Sequence, residues 1–237
     1  MLSVVIPAKD EAENLPELIR EVHEALREVE HEVVVVDDGS TDATPEVLAR
    51  LRAEDERLRV LRHRVSCGQS AGLRTGIKAA RHPWIATLDG DGQNDPADLP
   101  RLLAARPEGL TPDRPWLAIG HRVDRHDSAW RRFSSRFAFG MRRLWLRDDT
   151  PDTGCGIKVF GREMFLDLPW FDHVHRFLPA LVRRAGGETV SVPVRHRPRL
   201  HGRSKYGTLG RAWVGLVDLF GVRWLIARNR NPEVEER

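Results

Sequence analysis

Short apolar runs alternate with amphipathic segments through the first half of the chain. Leu2 to Ile6 and the β-branched run from Val33 to Val36 predict strands buried on both faces, since neither run alternates with polar residues. The segment between them carries apolar residues at helical spacing: Leu15, Leu18, Ile19, Val22, Leu26 and Val29. Asn14, with Glu17 three positions later, predicts a capping box for this helix, and Pro16 lies in the permissive first turn.

The same alternation continues beyond this helix. Thr44-Pro45-Glu46 opens a second helix, Arg59 to Leu61 predicts a third strand, and Ser70 to Ala80 predicts a third helix. Further strands are expected from Trp84 to Leu88 and from Trp116 to Ile119. Buried strands that alternate with helices are typical of parallel βαβ units. The predicted fold class is therefore α/β, a doubly wound and mostly parallel sheet with helices on both faces.

The strand that begins at Trp84 ends abruptly in carboxylates and glycines, Asp89-Gly90-Asp91-Gly92-Gln93. Ligands of an open α/β sheet bind outside the carboxyl ends of its strands, so this stretch is expected at the mouth of a cleft. Oxygen ligands from Asp89, Asp91 and Gln93 suit a hard cation such as Mg²⁺ or Mn²⁺. Taken alone, the stretch would suit a solvated turn equally well.

A second acidic cluster favours the metal site. Asp37 and Asp38 follow the Val33 to Val36 run, and carboxylates at neighbouring strand ends can bind a ribose and a base. The first strand is followed by Pro7-Ala8-Lys9 rather than by GxGxxG, which disfavours a dinucleotide cofactor. A nucleotide whose diphosphate is held by a metal fits this arrangement better.

Composition describes an ordinary globular protein of 237 residues, 41% hydrophobic and 31% charged, with a net charge of +3. Nearly all the cations are arginine, which suits phosphate recognition, although genome composition explains much of this bias. Cys67 and Cys155 lack CxxC spacing, so neither a disulfide nor zinc is expected. No apolar run reaches the ~20 residues that span a bilayer.

Several motifs together resemble one enzyme family. They are Val5-Ile6-Pro7 with Glu11 and Asn14, Val36 to Asp42, Asp89 to Gln93, Asp152 to Lys158, Arg176 to Pro179, and His196 to Tyr206. In this order and spacing they resemble the family-2 glycosyltransferases of GT-A type nucleotide-diphospho-sugar transferase fold. Within that family the chain is most similar to the dolichol-phosphate, or polyprenyl-phosphate, mannosyltransferase group. The resemblance covers most of the chain.

The resemblance implies a role for each matching residue. The residues expected to bind the donor nucleotide are Pro7, Ala8, Glu11, Asp37, Asp38, Asp89 and Gly90. The metal would be held by Asp91, Gln93 and Asp89. The diphosphate would be covered by Arg199, Ser204 and Lys205. The expected catalytic residues are Asp89, Asp91, Arg199 and Lys205. The acceptor phosphate would be held by Arg122, Arg131 and Ser135.

Two segments combine aromatic residues with arginine, the pattern of helices at a membrane interface. The first, 128–147, lies within a predicted catalytic domain of residues 1–208. The second, 209–228, is followed by a polar tail, 229–237, that is expected to be disordered. In each case the alternative is an ordinary helix that packs on the core.

The predicted function is inverting transfer of a sugar, mannose from GDP-mannose by default, to a polyprenyl (dolichyl or undecaprenyl) phosphate with Mg²⁺ or Mn²⁺. A UDP-sugar donor carrying glucose or an aminosugar is the alternative, acting on a polyprenyl phosphate or a cell-envelope glycan. A processive polysaccharide synthase is disfavoured because Gln-x-x-Arg-Trp is absent. A nucleotidyltransferase is disfavoured because no glycine-rich, arginine-containing loop follows the first strand.

A basic module that binds lipid or nucleic acid without catalysis is the alternative outside enzymology. Nucleic acid is not an expected partner, because the acidic clusters would repel a polyanion. The expected partners are the nucleotide sugar, the lipid acceptor and the membrane surface. A membrane-embedded partner protein is a further candidate. The expected location is cytoplasmic, peripheral on the cytoplasmic face of the membrane.

Overall fold

The computed structural model describes residues 1–123, 140–198, 208–230 and 232, and contains one seven-stranded sheet in the order β3-β2-β1-β4-β6-β5-β7. The strands are β1 Leu2–Ala8, β2 His31–Asp37, β3 Leu58–Arg62, β4 Trp84–Thr87, β5 Trp116–Arg122, β6 Lys158–Gly161 and β7 Glu188–Val194. The helices are α1 Leu15–Ala25, α2 Thr44–Glu54, α3 Gln69–Ala79, α4 Leu99–Ala104, α5 140–146, α6 Arg162–Asp167, α7 Leu178–Arg184 and α8 Thr208–Ala227. Short 3₁₀ turns cover Pro96–Asp98 and Val174–Arg176.

The sheet is mostly parallel, as predicted. Strands β1 to β4 pair in parallel, and β5 pairs in parallel with β7. Strand β6 runs antiparallel to both of its neighbours, β4 and β5. Because β6 is reversed, the loop that leads into it lies at the same edge of the sheet as the carboxyl ends of β4 and β5.

The β-branched run predicted as a strand is fully buried, with Val33 to Val36 at 0% exposure. Both faces of the strand are buried, so polar alternation would place a polar group in the core. The capping-box prediction is wrong. Asn14 does not cap α1; its Nδ2 instead donates to Glu11 Oε2 at 2.6 Å, and Glu17 pairs with Arg20.

Helix α3 packs unusually close to β1 because it presents glycine there. A Cβ at Gly76 would lie 2.4 Å from Val5 Cγ1, and a Cβ at Gly72 would lie 2.9 Å from Pro7 Cβ. The close approach brings Gln69, the first residue of α3, toward the carboxyl ends of β1 and β4.

The C-terminal helix α8 lies partly against the core and partly outside it. Leu219 and Val222 are buried, whereas Val217, Phe220 and Trp224 are exposed. Of the predicted interface helix 128–147, residues up to 139 lie outside the described part of the chain, and 140–146 are helical. Within the described residues, no helix is both long enough and apolar enough to cross a membrane. The proposed domain boundaries remain predictions.

Candidate active site

The acidic clusters predicted at two strand ends lie at one edge of the sheet. Strands β2, β1 and β4 are neighbours, so their carboxyl ends are adjacent. Asp38 N donates to Ala8 O at 2.8 Å, which ties the end of β2 to the end of β1. A Cβ at Gly90 would lie 3.2 Å from Ala8 Cβ and 3.2 Å from Pro7 O. Glycine at position 90 therefore lets the turn after β4 approach the end of β1.

Three separate segments surround Asp89, and one of them hydrogen-bonds its carboxylate. Gln69 Nε2 donates to Asp89 Oδ1 at 2.7 Å, and Asp89 N lies 3.5 Å from Asn94 Oδ1. A Cβ at Gly156 would lie 2.3 Å from Asp89 Oδ2. The absence of a side chain at 156 makes room for the carboxylate. Sequence reasoning missed Gln69, whose role depends on the close packing of α3 on β1.

The turn after β4 carries Asp91 and Gln93, both partly exposed. Gln93 N donates to Asp91 Oδ1 at 3.1 Å, and Gly92 has a positive φ of 70°. Carboxylate oxygens from Asp89 and Asp91 are the donor set that Mg²⁺ and Mn²⁺ prefer. The space that Gly156 leaves for the Asp89 carboxylate is consistent with a metal site at this turn. The residues present therefore fit a divalent cation.

Asp38 is directed into the loop between β3 and α3. Its carboxylate accepts hydrogen bonds from His63 Nδ1 at 2.7 Å, Ser66 Oγ at 2.8 Å, Cys67 N at 2.8 Å and Gly68 N at 2.9 Å. Burial alone would raise the pKa of the Asp38 carboxyl, but these hydrogen bonds outweigh burial and hold the pKa below its ordinary value. In this structure Asp38 organises the loop.

The other predicted nucleotide-binding residues line the same edge. Asp37 Oδ1 accepts from Ser40 N at 2.9 Å, and Asp37 Oδ2 pairs with Arg62 Nε at 3.1 Å. Glu11 N donates to Thr44 Oγ1 at 2.9 Å. The loop after β1 is thereby held against the loop after β2, next to Pro7 and Ala8.

Arg122 lies at the carboxyl end of β5 and forms a two-point ion pair with Asp152. Arg122 Nε and Nη2 lie 2.6 Å and 2.8 Å from the two oxygens of Asp152. Burial would lower the pKa of Arg122, but Asp152 reverses this and raises it above the ordinary value. A guanidinium held in this way keeps its charge and its orientation. Arg131 and Ser135, predicted to share its role, lie outside the described residues.

Two further basic groups, to which the sequence analysis gave no role, lie near this part of the site: Lys158 close to Asp89, and His175 against Ser70. Lys158, the first residue of β6, is 4% exposed and donates to Cys155 O. Burial lowers the pKa of Lys158, and the neighbouring Cys155 and Asp89 oppose that shift. His175 Nδ1 lies 2.7 Å from Ser70 Oγ, and burial followed by the charge of Lys158 holds the pKa of His175 well below its ordinary value. A charged residue at the start of an apolar strand was the available signal for Lys158.

The chain that leads toward the predicted diphosphate loop is anchored on the turn after β4. Arg197 N donates to Gln93 O at 2.9 Å, and Arg197 Nη2 pairs with Asp95 at 2.6 Å. The predicted diphosphate loop begins at Arg199, two residues after Arg197. Arg199, Ser204 and Lys205 all lie outside the described part of the chain. Their predicted role therefore stays a prediction.

A cavity of about 600 Å³ opens at the opposite edge of the sheet, near the amino ends of β2 and β3. Its lining mixes both signs of charge, including Arg27, Glu32 and Arg59. It lies far from the strand-end carboxylates, because parallel strands place their amino and carboxyl ends at opposite edges.

The sheet order and the strand-end carboxylates define a GT-A glycosyltransferase. Residues 3–168 match the model of glycosyl transferase family 2, so the chain belongs to that family. It is 32% identical, over 88% of its length, to an undecaprenyl-phosphate 4-deoxy-4-formamido-L-arabinose transferase of Edwardsiella ictaluri, and spans 63% of that relative. It is also 32% identical, over 98% of its length, to a dodecaprenyl-phosphate galacturonate synthase of Rhizobium johnstonii, and spans 69% of that protein.

Solved structures share the fold at low sequence identity. A mannosyltransferase from Pyrobaculum calidifontis, in complex with GDP-Man and Mn²⁺, matches 98% of this chain and 65% of its own, with a TM-score of 0.64 and 17% identity. A mannosyl-3-phosphoglycerate synthase from Rubrobacter xylanophilus matches 99% of this chain and 78% of its own, with a TM-score of 0.70 and 15% identity. These likenesses confirm the predicted fold class.

Proposed function

We propose that this chain transfers a sugar from a nucleotide-diphosphate sugar to a polyprenyl phosphate, with Mg²⁺ or Mn²⁺ as cofactor. The observation that carries the proposal is the Asp89 carboxylate, oriented by Gln69 and accommodated by Gly156 beside Asp91. Support for the acceptor comes from the two relatives named above, whose names state an undecaprenyl and a dodecaprenyl phosphate.

The chain's own residues bind the donor from both sides of β1. The ends of β1 and β2, with Pro7, Ala8, Glu11 and Asp37, face the nucleotide. The turn with Asp89 and Asp91 faces the diphosphate and the sugar. A bound Mg²⁺ or Mn²⁺ supplies positive charge to the departing diphosphate. Arg199, Ser204 and Lys205 are proposed to add hydrogen bonds to the same leaving group.

The acceptor needs positioning more than activation. A phosphate monoester has a second pKa of about 6 and is mostly doubly charged at neutral pH, so it can attack without a general base. Arg122, held rigid by Asp152, is proposed to orient that phosphate together with Arg131 and Ser135. Neither Asp89 nor Asp91 has to be released from the donor to accept a proton. Attack opposite the departing diphosphate inverts the anomeric carbon.

The family-level expectation and the relatives point to different donor sugars. GDP-mannose is the family-level expectation, but the names of the two relatives state an arabinose derivative and galacturonate rather than mannose. These names favour the alternative, a donor other than GDP-mannose, of which a UDP-sugar is the first to test. The P. calidifontis mannosyltransferase was solved with GDP-Man, so GDP-mannose stays among the donors to test.

A donor screen tests the proposal. Purified protein, a short-chain polyprenyl phosphate and Mn²⁺ or Mg²⁺ are incubated with radiolabelled GDP-mannose, UDP-glucose, UDP-glucuronic or UDP-galacturonic acid, and a UDP-pentose. One donor is expected to move label into the organic phase, and to do so only with both acceptor and cation present. Absence of label with every donor, alongside an active control transferase, would contradict the proposal.

A location for the reaction is also proposed, and the exposed face of α8 supports it. Val217, Phe220 and Trp224 form an apolar strip next to Arg223 and Arg228. Aromatic and arginine side chains both favour the headgroup region of a bilayer. We propose that this face rests on the membrane surface, where a polyprenyl phosphate keeps its headgroup.

A further inference from the structure

A cluster of mixed ligand atoms lies on the loop that Asp38 organises. A carboxylate oxygen of Asp38, a ring nitrogen of His63 and the sulfur of Cys67 all lie within 4.8 Å of one another. Asp38 is buried, His63 is half-buried and Cys67 is exposed. The two residues before α3, Cys67 and Gly68, donate their backbone N–H groups to the same carboxylate.

The chemistry of this set differs from that of the turn after β4. Oxygen ligands at Asp89 and Asp91 suit hard cations, whereas one sulfur, one imidazole and one carboxylate suit Zn²⁺ or a similar borderline metal. With bonds of about 2.0 to 2.3 Å, a tetrahedral Zn²⁺ places its ligand atoms roughly 3.3 to 3.8 Å apart. Asp38 Oδ1 and His63 Nδ1 already lie 2.7 Å apart, and no pair of ligand atoms is more than 4.8 Å apart, so the movement needed for binding falls mainly on the exposed Cys67 side chain.

The protein prepares this cluster before any metal arrives. The hydrogen bonds to Asp38 bring the loop and its side chains together before binding, and a metal on this carboxylate would replace some of those hydrogen bonds. His63 Nε2 lies 2.9 Å from Thr75 Oγ1 and Nδ1 lies 2.7 Å from Asp38, so a hydroxyl or a carboxylate can orient the ring. The exposed thiol offers an entry path.

We propose that Asp38, His63 and Cys67 form a second metal site, for Zn²⁺ or a metal of similar preference, with one coordination position left for water. The thiol of Cys67 loses its proton on binding, and His63 binds through a ring nitrogen that carries no proton. Because Cys67 and the chain up to Gln69 are continuous, the metal also acts on the group that orients Asp89. Zn²⁺ here draws the Asp38 carboxylate away from Cys67 N and Gly68 N and loosens the start of α3. Occupancy is therefore expected to inhibit.

Cobalt(II) spectroscopy tests the site without requiring transfer activity. Co²⁺ is added to the full chain in excess Mg²⁺, which keeps oxygen-ligand sites occupied. A sulfur-to-cobalt charge-transfer band at one equivalent, displaced by Zn²⁺, is the expected result. Cys67→Ser should abolish the band, and Cys155, which is buried, remains in that variant as an internal thiol control. His63→Gln should weaken Zn²⁺ binding at least about 10-fold by competition with a chromophoric chelator.

Three outcomes would overturn the site: no charge-transfer band in the wild type, an undiminished band in Cys67→Ser, or unchanged Zn²⁺ affinity in His63→Gln. Circular dichroism is used to check that both variants fold, and Cys67 is exposed, so serine should be accommodated there. The inhibitory consequence rests on the proposed function and is measured separately. In excess Mg²⁺, Zn²⁺ should reduce transfer by the wild type and spare Cys67→Ser. If the protein transfers no sugar, the cobalt experiment still decides whether the metal site exists.

Discussion

Two regions of this molecule prepare for ligands in opposite ways. At the carboxyl ends of β1, β2 and β4, Asp37 and Asp38 are buried and hydrogen-bonded, and Asp38 alone accepts four hydrogen bonds. On α8, large apolar side chains lie in solvent, with Phe220 59% and Trp224 61% exposed. The first region is ordered before its ligand arrives, so that binding loses little entropy. The second gains free energy only when a surface covers it.

The strand-end region should be the more sensitive of the two to a single change. Asp91→Ala removes a carboxylate proposed to hold the cation, and we expect kcat/KM to fall by at least about 10²-fold. The melting temperature should change little, because Asp91 is partly exposed and lies in a turn. Initial rates at saturating Mn²⁺, together with a thermal melt, check this. Full activity of the variant in a chelator would contradict the metal site.

The Arg122–Asp152 pair combines stability and acceptor binding, and a matched pair of variants separates them. Removing one partner of a buried ion pair costs about 3 to 5 kcal/mol, so Arg122→Gln and Asp152→Asn should both lower the free energy of unfolding. Only Arg122→Gln removes the guanidinium, so the acceptor KM should rise more in that variant than in Asp152→Asn. The donor KM should rise less than the acceptor KM. Equal changes in both KM values would assign Arg122 a purely structural role.

A charge introduced on the exposed face of α8 should weaken membrane binding and leave the protein folded. Trp224→Glu places a charge on an exposed position, so we expect vesicle binding to weaken by roughly 10- to 100-fold with little change in melting temperature. Val222→Ala, on the buried side of the same helix, should lower the melting temperature and leave vesicle binding unchanged. Sedimentation with anionic liposomes at low and high salt measures the binding. Wild-type protein that stays in the supernatant at every salt concentration would refute the proposed location.

The smallest expected effect is a pH dependence of stability from His175. Its pKa is depressed in the folded protein, so below its ordinary value near 6.5 the unfolded chain binds more protons than the folded one. Stability from this group is therefore fully present above pH 6.5 and is lost as the pH falls. His175→Gln should flatten the dependence between pH 7 and pH 5 in urea unfolding experiments. An unchanged slope would show that groups other than His175 cause the pH dependence of stability.

The sequence predicted the fold and the strand-end acids because both depend on local patterns. A β-branched run such as Val33 to Val36 and a carboxylate directly after a strand are visible within a few positions. Gln69, Lys158 and His175 were missed because their contacts are made between segments far apart in the chain. The capping box failed for a local reason: Asn14 has a better partner three residues earlier, Glu11, than in the first turn of α1.

The position of the Asp89 carboxylate requires glycine at position 156. The backbone of Gly156 has no positive φ, so conformation does not demand glycine there. Volume does, because any Cβ would overlap the Asp89 carboxylate and Asn94 Oδ1. Among homologous sequences, positions 156 and 89 should therefore vary together. A chain that keeps the acid but replaces the glycine is expected to have moved the turn after β4, and such a replacement would mark a homologue whose donor site has been rebuilt.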